Sequence, residues 1–285
     1  MCNKGKCMRS FILVMLVYMA LVSELWAHET MKIPTVEKGL FSNSVVYLEA
    51  TVHKPEGKGP FPLVVLNHGT TVGVDGRKTT YIWNKQSKFF TDRGYVVVIL
   101  MRKGYGKSEG RIITDTGACK DADWYHVIEE DSLDVEKCIE YMKLLPDINK
   151  DKIILVGQST GGTVIIAAGS KNIPGVIGVI NFAGGRGFSA QRTLCNPEGL
   201  IAAMQYFGEN FTVPSLWIYT ENDKYFPPSV SREMYLKFSK KAKNSTYILK
   251  APFGEDGHAF FHKADPVMWG KEVDDFLVTL RSNPK

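Results

Sequence analysis

Two stretches of this chain, "FPLVVLNHG" from Phe61 and "GYVVVILMR" from Gly94, are unbroken aliphatic and β-branched runs with no polar alternation. A strand with one wet face alternates in polarity. One that is apolar throughout is covered on both faces, which points to a parallel sheet between layers of helices. Between these runs "TTYIWNKQSKFFTDRG" sets Tyr81, Ile82, Phe89 and Phe90 near helical spacing and stops at Gly94, so a helix is predicted there. The rhythm continues. "WYHVIEEDSLDVEKCIEYMKLLP" predicts a long amphipathic helix ending before Pro146, then come strand "KIILVG", a helix from Thr160, strand "GVIGVINFAG", a glycine-rich excursion and strand "PSLWIYT". Helix "PSVSREMYLKFSKKA", strand "STYILK" and a final helix near "PVMWGKEVDDFLVTL" complete it, and an early "VVYLEATVHKP" alternates like a half-buried antiparallel strand. The expected class is α/β, a mainly parallel sheet of about seven or eight strands with helices on both faces. Ligands of such sheets bind at the carboxyl ends of the strands.

With 285 residues, 44% of them hydrophobic, the chain can bury one large core, and no low-complexity linker divides it. One domain, residues 28–285, is expected behind a leader of residues 1–27. In that leader Lys4, Lys6 and Arg9 precede "FILVMLVYMALV", and Ala27 offers a small residue at a cleavage position. This is the pattern of a secretory signal peptide. The apolar run, Phe11 to Val22, is short of the roughly 20 residues that span a bilayer. A cleaved, secreted or periplasmic protein is expected, with no stable membrane insertion after cleavage.

The formal charge is +5, and the basic residues are dispersed. The one cluster, "KFSKKAKN", reads as the solvated end of a helix, so no nucleic-acid partner is expected. Beyond the leader, Cys119, Cys138 and Cys195 fit no zinc or redox spacing. Cys138 falls on the apolar face of a helix with Ile128, Val135, Ile139 and Met142, which predicts a buried thiol. Cys119 and Cys195 lie in irregular segments; in an exported protein they either pair or remain two loop thiols.

The chemistry concentrates at Gly157–Gly161, "GQSTG". A serine on a sharp turn from strand to helix needs unusual backbone angles, and side chains two residues either side would strike the crossing chains. Gly157 and Gly161 avoid this. The helix from Thr160 also directs free N–H groups toward the place where a tetrahedral intermediate carries its negative oxygen. Ser159 is the candidate nucleophile of such an elbow. A serine hydroxyl needs a base, and the base needs an orienting acid. "ENDKYFPP" supplies Glu221 and Asp223 after one strand, and "FGEDGHAFFH" supplies His258 after the next. Asp223 is preferred because it stands further into the turn. His28, His53 and His126 read as surface or packing residues, and His262 falls in ordered structure beyond the loop. "NHGT" ends an earlier strand, where Gly69 allows close approach. The candidate oxyanion donors are the main-chain amides of Thr70, with Thr71 as its alternative, and Thr160. His68 is expected to anchor structure.

Together "NHGT", "RKGYGKSEG", "GQSTGG", "ENDKYFPP" and "DGHAF" resemble the α/β-hydrolase superfamily, in its dienelactone-hydrolase-like and prolyl-oligopeptidase-like carboxylesterase branch, over nearly all of residues 40 to 281. The resemblance implies the α/β-hydrolase fold and a triad of Ser159, Asp223 and His258. Dienelactone hydrolases proper carry cysteine where Ser159 stands, and the propeller domain of prolyl oligopeptidases is not expected in these 285 residues.

The expected function is hydrolysis of a carboxylic ester through an acyl-enzyme, with a small ester or short peptide as substrate and no metal or organic cofactor. A peptide or amide hydrolase with the same triad and a non-catalytic binding protein on the same scaffold are the alternatives. The excursion "GGRGFSAQRTLCNPEGL" reads as a small lid or a long connection, and Tyr105, Trp124, Tyr125 and Phe226 as candidates to line an acyl pocket.

Overall fold

The computed structural model describes residues 28–37, 39, 42–70, 77–113, 116–188 and 193–282. The leader and Thr71 lie outside them. An eight-stranded sheet forms the centre, in the order β1-β2-β4-β3-β5-β6-β7-β8. β1 (Glu29–Glu37) and β2 (Ser44–His53) pair antiparallel, and β2 joins β4 (Val96–Leu100) antiparallel. From β4 onward every pairing is parallel, through β3 (Phe61–Asn67), β5 (Ile148–Gln158), β6 (Val176–Phe182), β7 (Ser215–Thr220) and β8 (Ser245–Lys250).

The unbroken apolar runs become strands covered on two sides. Leu63 and Val65 of β3 point into one core and Val64 and Leu66 into another, because successive side chains alternate faces. The first core is closed by α2 (Trp124–Met142), α3 (Thr160–Ser170), α4 (Pro197–Glu209) and α5 (Pro228–Phe238). The second is closed by α1 (Asn84–Thr91), α6 (Phe260–Lys263) and α7 (Val267–Ser282), whose Trp269 is fully buried against Phe89 and Phe182. Cys138 is a buried free thiol, with burial pushing its pKa up.

Three elements differ from the sequence expectation. β1 was not expected: its Met31 and Ile33 alternate correctly, but Pro34 interrupts the run. Proline is tolerated there because β1 is the sheet edge. α4 falls inside what reads as an irregular excursion. Asn196 caps it by accepting from the Gly199 N–H at 3.0 Å, Pro197 occupies its first turn, and Leu200, Ala203, Met204 and Phe207 form its buried stripe. α1 starts only at Asn84, since Trp83 adopts a left-handed φ of 41° and leaves Tyr81 and Ile82 outside the helix.

The chain passes from β3 to β4 on one side and then crosses back to β5 on the other, so the strand order reverses at the β3/β5 boundary. The carboxyl ends at this reversal form the crevice in which such sheets bind ligands. β3 ends there at Asn67, and β5 ends at Gln158.

Candidate active site

Ser159 follows β5 directly, with φ 56° and ψ −125°, a region that residues with a side chain rarely occupy. The crossing chains make the turn possible. A Cβ on Gly157 would meet the Gly161 carbonyl, and one on Gly161 would meet the carbonyls of Asn67 and His68. Main-chain bonds lock the elbow: Ser159 N–H donates to the Phe182 carbonyl at 3.0 Å, and the Ser159 carbonyl accepts from Gly162 at 2.8 Å and Gly185 at 3.1 Å.

Three side chains remote in sequence meet at this point. Ser159 Oγ lies 2.9 Å from His258 Nε2, and His258 Nδ1 lies 3.0 Å from Asp223 Oδ2. His258 sits in a short turn, Gly257–Ala259, where Asp256 Oδ1 accepts its N–H at 3.0 Å. Its own carbonyl accepts from Gln158 Nε2 at 3.2 Å, tying the histidine loop to the elbow. Asp223 is buried, and its second oxygen accepts from the amides of Tyr225 and Phe226 at 2.8 and 2.9 Å. Tyr225 stacks on the imidazole at 4.4 Å. Glu221 is exposed, while Asn222 braces the loop by accepting from the Phe253 N–H and donating to the Gly254 carbonyl. A hydroxyl, an imidazole and a carboxylate so connected can pass one proton from the serine to the ring and fix the ring's tautomer.

The other histidines stand apart. His53 bonds the Ile82 carbonyl, His126 is exposed in the first turn of α2, and His262 is exposed on α6. His68 is fully buried. Its Nε2 accepts the Arg102 N–H, so Nδ1 carries the proton and donates to the Gly69 carbonyl at 2.6 Å. Burial and the Arg102 charge hold its pKa well below the usual imidazole range.

Thr70 and Thr160 face each other with hydroxyls 2.8 Å apart, and both line a cavity of about 350 Å³ that opens beside Ser159. Among the described residues, neither main-chain N–H is taken by an acceptor, as expected for the first turn of a helix and the loop facing it. The cavity wall includes Tyr105, Trp124 and Phe226. Tyr125 does not belong to it. One residue along α2 from Trp124, it turns outward onto Tyr206 and Phe207 of α4.

The excursion after β6 supplies the wall through Gly185–Phe188 and then runs into α4. Cys195 forms a disulfide with Cys119, and Trp124 Nε1 donates to the Cys195 carbonyl at 2.9 Å. Behind the wall is a group that the sequence reading missed. Arg102, 1% exposed, donates to Asn67 Oδ1 and to the His68 carbonyl, which holds the "NHGT" turn in place. Its Nε lies 3.7 Å from Asp131 Oδ2, which in turn accepts from Arg186 at 2.5 Å. Nearby, Asp134 receives both the side chain and the main-chain N–H of Lys103, although burial still raises its pKa. Arg102 opens the quoted "RKGYGKSEG"; its partners are not legible because they come from other elements. Among the described residues no group of three or more His, Cys, Asp or Glu is gathered to hold a metal ion.

The chain resembles known proteins in sequence and in fold. The uncharacterized protein YfhR of Escherichia coli K12 is 26% identical over 245 residues, covering 81% of this chain and 76% of that one. An esterase of Pyrococcus furiosus superposes with a TM-score of 0.63 at 15% identity, covering 90% of this chain and 92% of its own. The acylaminoacyl peptidase of Pyrococcus horikoshii superposes with a TM-score of 0.62 at 18% identity, over 92% of this chain but 43% of its own. The sequence pattern of the X-Pro dipeptidyl-peptidase (S15) family matches residues 44–223, which run from β2 to Asp223 and contain the serine elbow. The chain is therefore a serine hydrolase of the α/β-hydrolase superfamily and belongs to the S15 family.

Proposed function

We propose that residues 28–285 form an exported serine hydrolase that cleaves carboxylic esters through an acyl-enzyme. The observation that carries the mechanism is the continuous line from Ser159 Oγ through His258 to Asp223, with both links at hydrogen-bonding distance. Ser159 Oγ attacks the ester carbonyl carbon while its proton passes to His258 Nε2. The carbonyl π pair moves onto oxygen, and the main-chain amides of Thr70 and Thr160 receive the oxyanion. When the carbon–oxygen bond to the alcohol breaks, His258 returns the proton to the leaving oxygen. Water then repeats the sequence, its proton going to His258 and its oxygen to the acyl carbon, and Ser159 is regenerated.

The cavity favours an ester over a dipeptidyl substrate. A peptide cut two residues from its amino terminus brings a cationic amine close to the nucleophile. The described lining carries Arg77 and Arg186 and no carboxylate to receive that amine. The family description and the acylaminoacyl peptidase neighbour support the rival reading, a peptide or amide substrate. Export is supported by the leader pattern and by the Cys119–Cys195 bridge, a bond that oxidising compartments maintain. Among the described residues no helix is long and apolar enough to cross a membrane.

Steady-state kinetics with 4-nitrophenyl esters of graded acyl length, beside aminoacyl and dipeptidyl anilides, test the choice. Ester turnover without anilide cleavage is expected. The reverse result would replace the ester by a peptide.

A further inference from the structure

The cavity beside Ser159 is unequally charged. Arg77 and Arg186 both reach its wall, and its described lining contains no acidic side chain. Much of the remaining surface is apolar, with Trp124, Phe188 and Ile112 among it. A charge beside such a wall is less screened than one in open water. A guanidinium also matches a carboxylate in shape, offering two parallel donors.

Both arginines are built into the wall. Arg186 has a side chain 11% exposed and gives one N–H to Asp131. Asp131 is shared with Arg102 through the same oxygen, so a single negative charge stands against two positive ones. Arg77 is anchored through its carbonyl, which accepts the Gly106 N–H at 2.7 Å. Its Nε is buried without a hydrogen-bond partner, as are Nε and one terminal nitrogen of Arg102. A buried donor left in that state is unfavourable, and an acceptor that reaches Arg77 from the cavity relieves it. Among the described residues the neighbouring carboxylates are committed elsewhere. Asp134 is held by Lys103, Glu49 by Thr80 and the Lys107 amide, and Asp223 by His258.

We infer that this cavity is an anion subsite, and that the preferred substrate is an ester bearing a second, negatively charged group, a carboxylate, received by Arg77 and Arg186 while the ester carbonyl lies against Ser159. The inference rests on the ester-hydrolase reading above and narrows it to a substrate class.

Two matched pairs of esters test it and locate the charge. On the acyl side, the 4-nitrophenyl monoester of adipic acid is compared with 4-nitrophenyl hexanoate. On the alcohol side, 4-(carboxymethyl)phenyl hexanoate is compared with 4-ethylphenyl hexanoate. In at least one pair the anionic ester is expected to have a kcat/KM higher by about 10-fold, mainly through KM, with the advantage shrinking in high salt. Arg77→Gln is expected to reduce that anionic-to-neutral ratio to near one, and so is the double change Arg186→Gln with Asp131→Asn. Neutral esters turned over as well as their anionic partners in both pairs would overturn the inference. If no ester is hydrolysed, the ester-hydrolase reading fails, and binding decides the subsite alone. Ser159→Ala protein is then titrated by ligand-observed NMR with monomethyl adipate and with methyl hexanoate. Tighter binding of monomethyl adipate, weakened by Arg77→Gln, sustains the anion subsite; equal or weaker binding rejects it.

Discussion

The two walls of the Ser159 cavity are held by different means. On the nucleophile side, main-chain contacts do the positioning. Ser159 and Gly161 are fixed by carbonyls, amides and crossing backbones and Asp223 by two successive N–H groups, while His258 alone is held through two side chains, Asp256 and Gln158. On the opposite side, long side chains and one covalent link do it, through Arg102, Asp131, Arg186 and the Cys119–Cys195 bridge. Backbone contacts leave almost no freedom to the atoms that exchange a proton. A wall made of side chains can be remodelled without disturbing them. Damage to the first wall should therefore appear in kcat, and damage to the second in KM and stability.

The largest expected effect is on the first wall. Ser159→Ala should lower kcat by roughly 10⁴ to 10⁶ and abolish labelling by a fluorophosphonate probe, with circular dichroism unchanged. Activity retained at a wild-type level would dissolve the distinction between the walls. Asp223→Asn should cost on the order of 10⁴ in kcat, the scale found when a triad acid is replaced by its amide. Glu221→Gln, one short turn away on an exposed residue, should change kcat by less than about 3-fold, typical of a surface charge. A crippled Glu221→Gln beside a mild Asp223→Asn would move the acid to the other residue.

The second wall should respond differently. Asp131→Asn leaves Arg102 and Arg186 without their shared carboxylate, and loss of one member of a buried charge cluster costs about 3 kcal/mol. The expected outcome is a melting temperature lower by several degrees and a raised KM, with kcat much less affected. Cys119→Ser with Cys195→Ser should have the mildest kinetic effect. Removing a bridge costs about 2–4 kcal/mol of stability, while kcat in the folded variant should stay close to that of the parent. A large fall in kcat in either variant would mean that the side-chain wall also positions the nucleophile.

The first wall was the legible one. Gly157, Ser159 and Gly161 are neighbours in sequence, and their spacing states the steric requirement of the elbow directly. Asp223 and His258 could be sought because the sheet order fixes where strand ends must lie. The second wall depends on partners far apart: Arg186 meets Asp131 across 55 positions, and no local pattern marks either as the other's partner. Trp124 and Tyr125 show the limit of residue-level reading. Both are aromatic at the start of one helix, yet a rotation of about 100° between successive residues sends one into the cavity and the other onto α4. β1 and α4 went unread for local reasons, a proline inside an edge strand and a helix start hidden by the preceding glycine-rich segment.

The bridge also closes a ring in the chain. Cys119 and Cys195 are 76 positions apart, and the segment between them contains α2, β5, Ser159, α3 and β6. A protease that cuts any surface turn within that segment produces two pieces that remain one molecule. On a gel the nicked protein should migrate as a single chain until a reductant is added, and then separate into two fragments, with Ser159 carried by one of them.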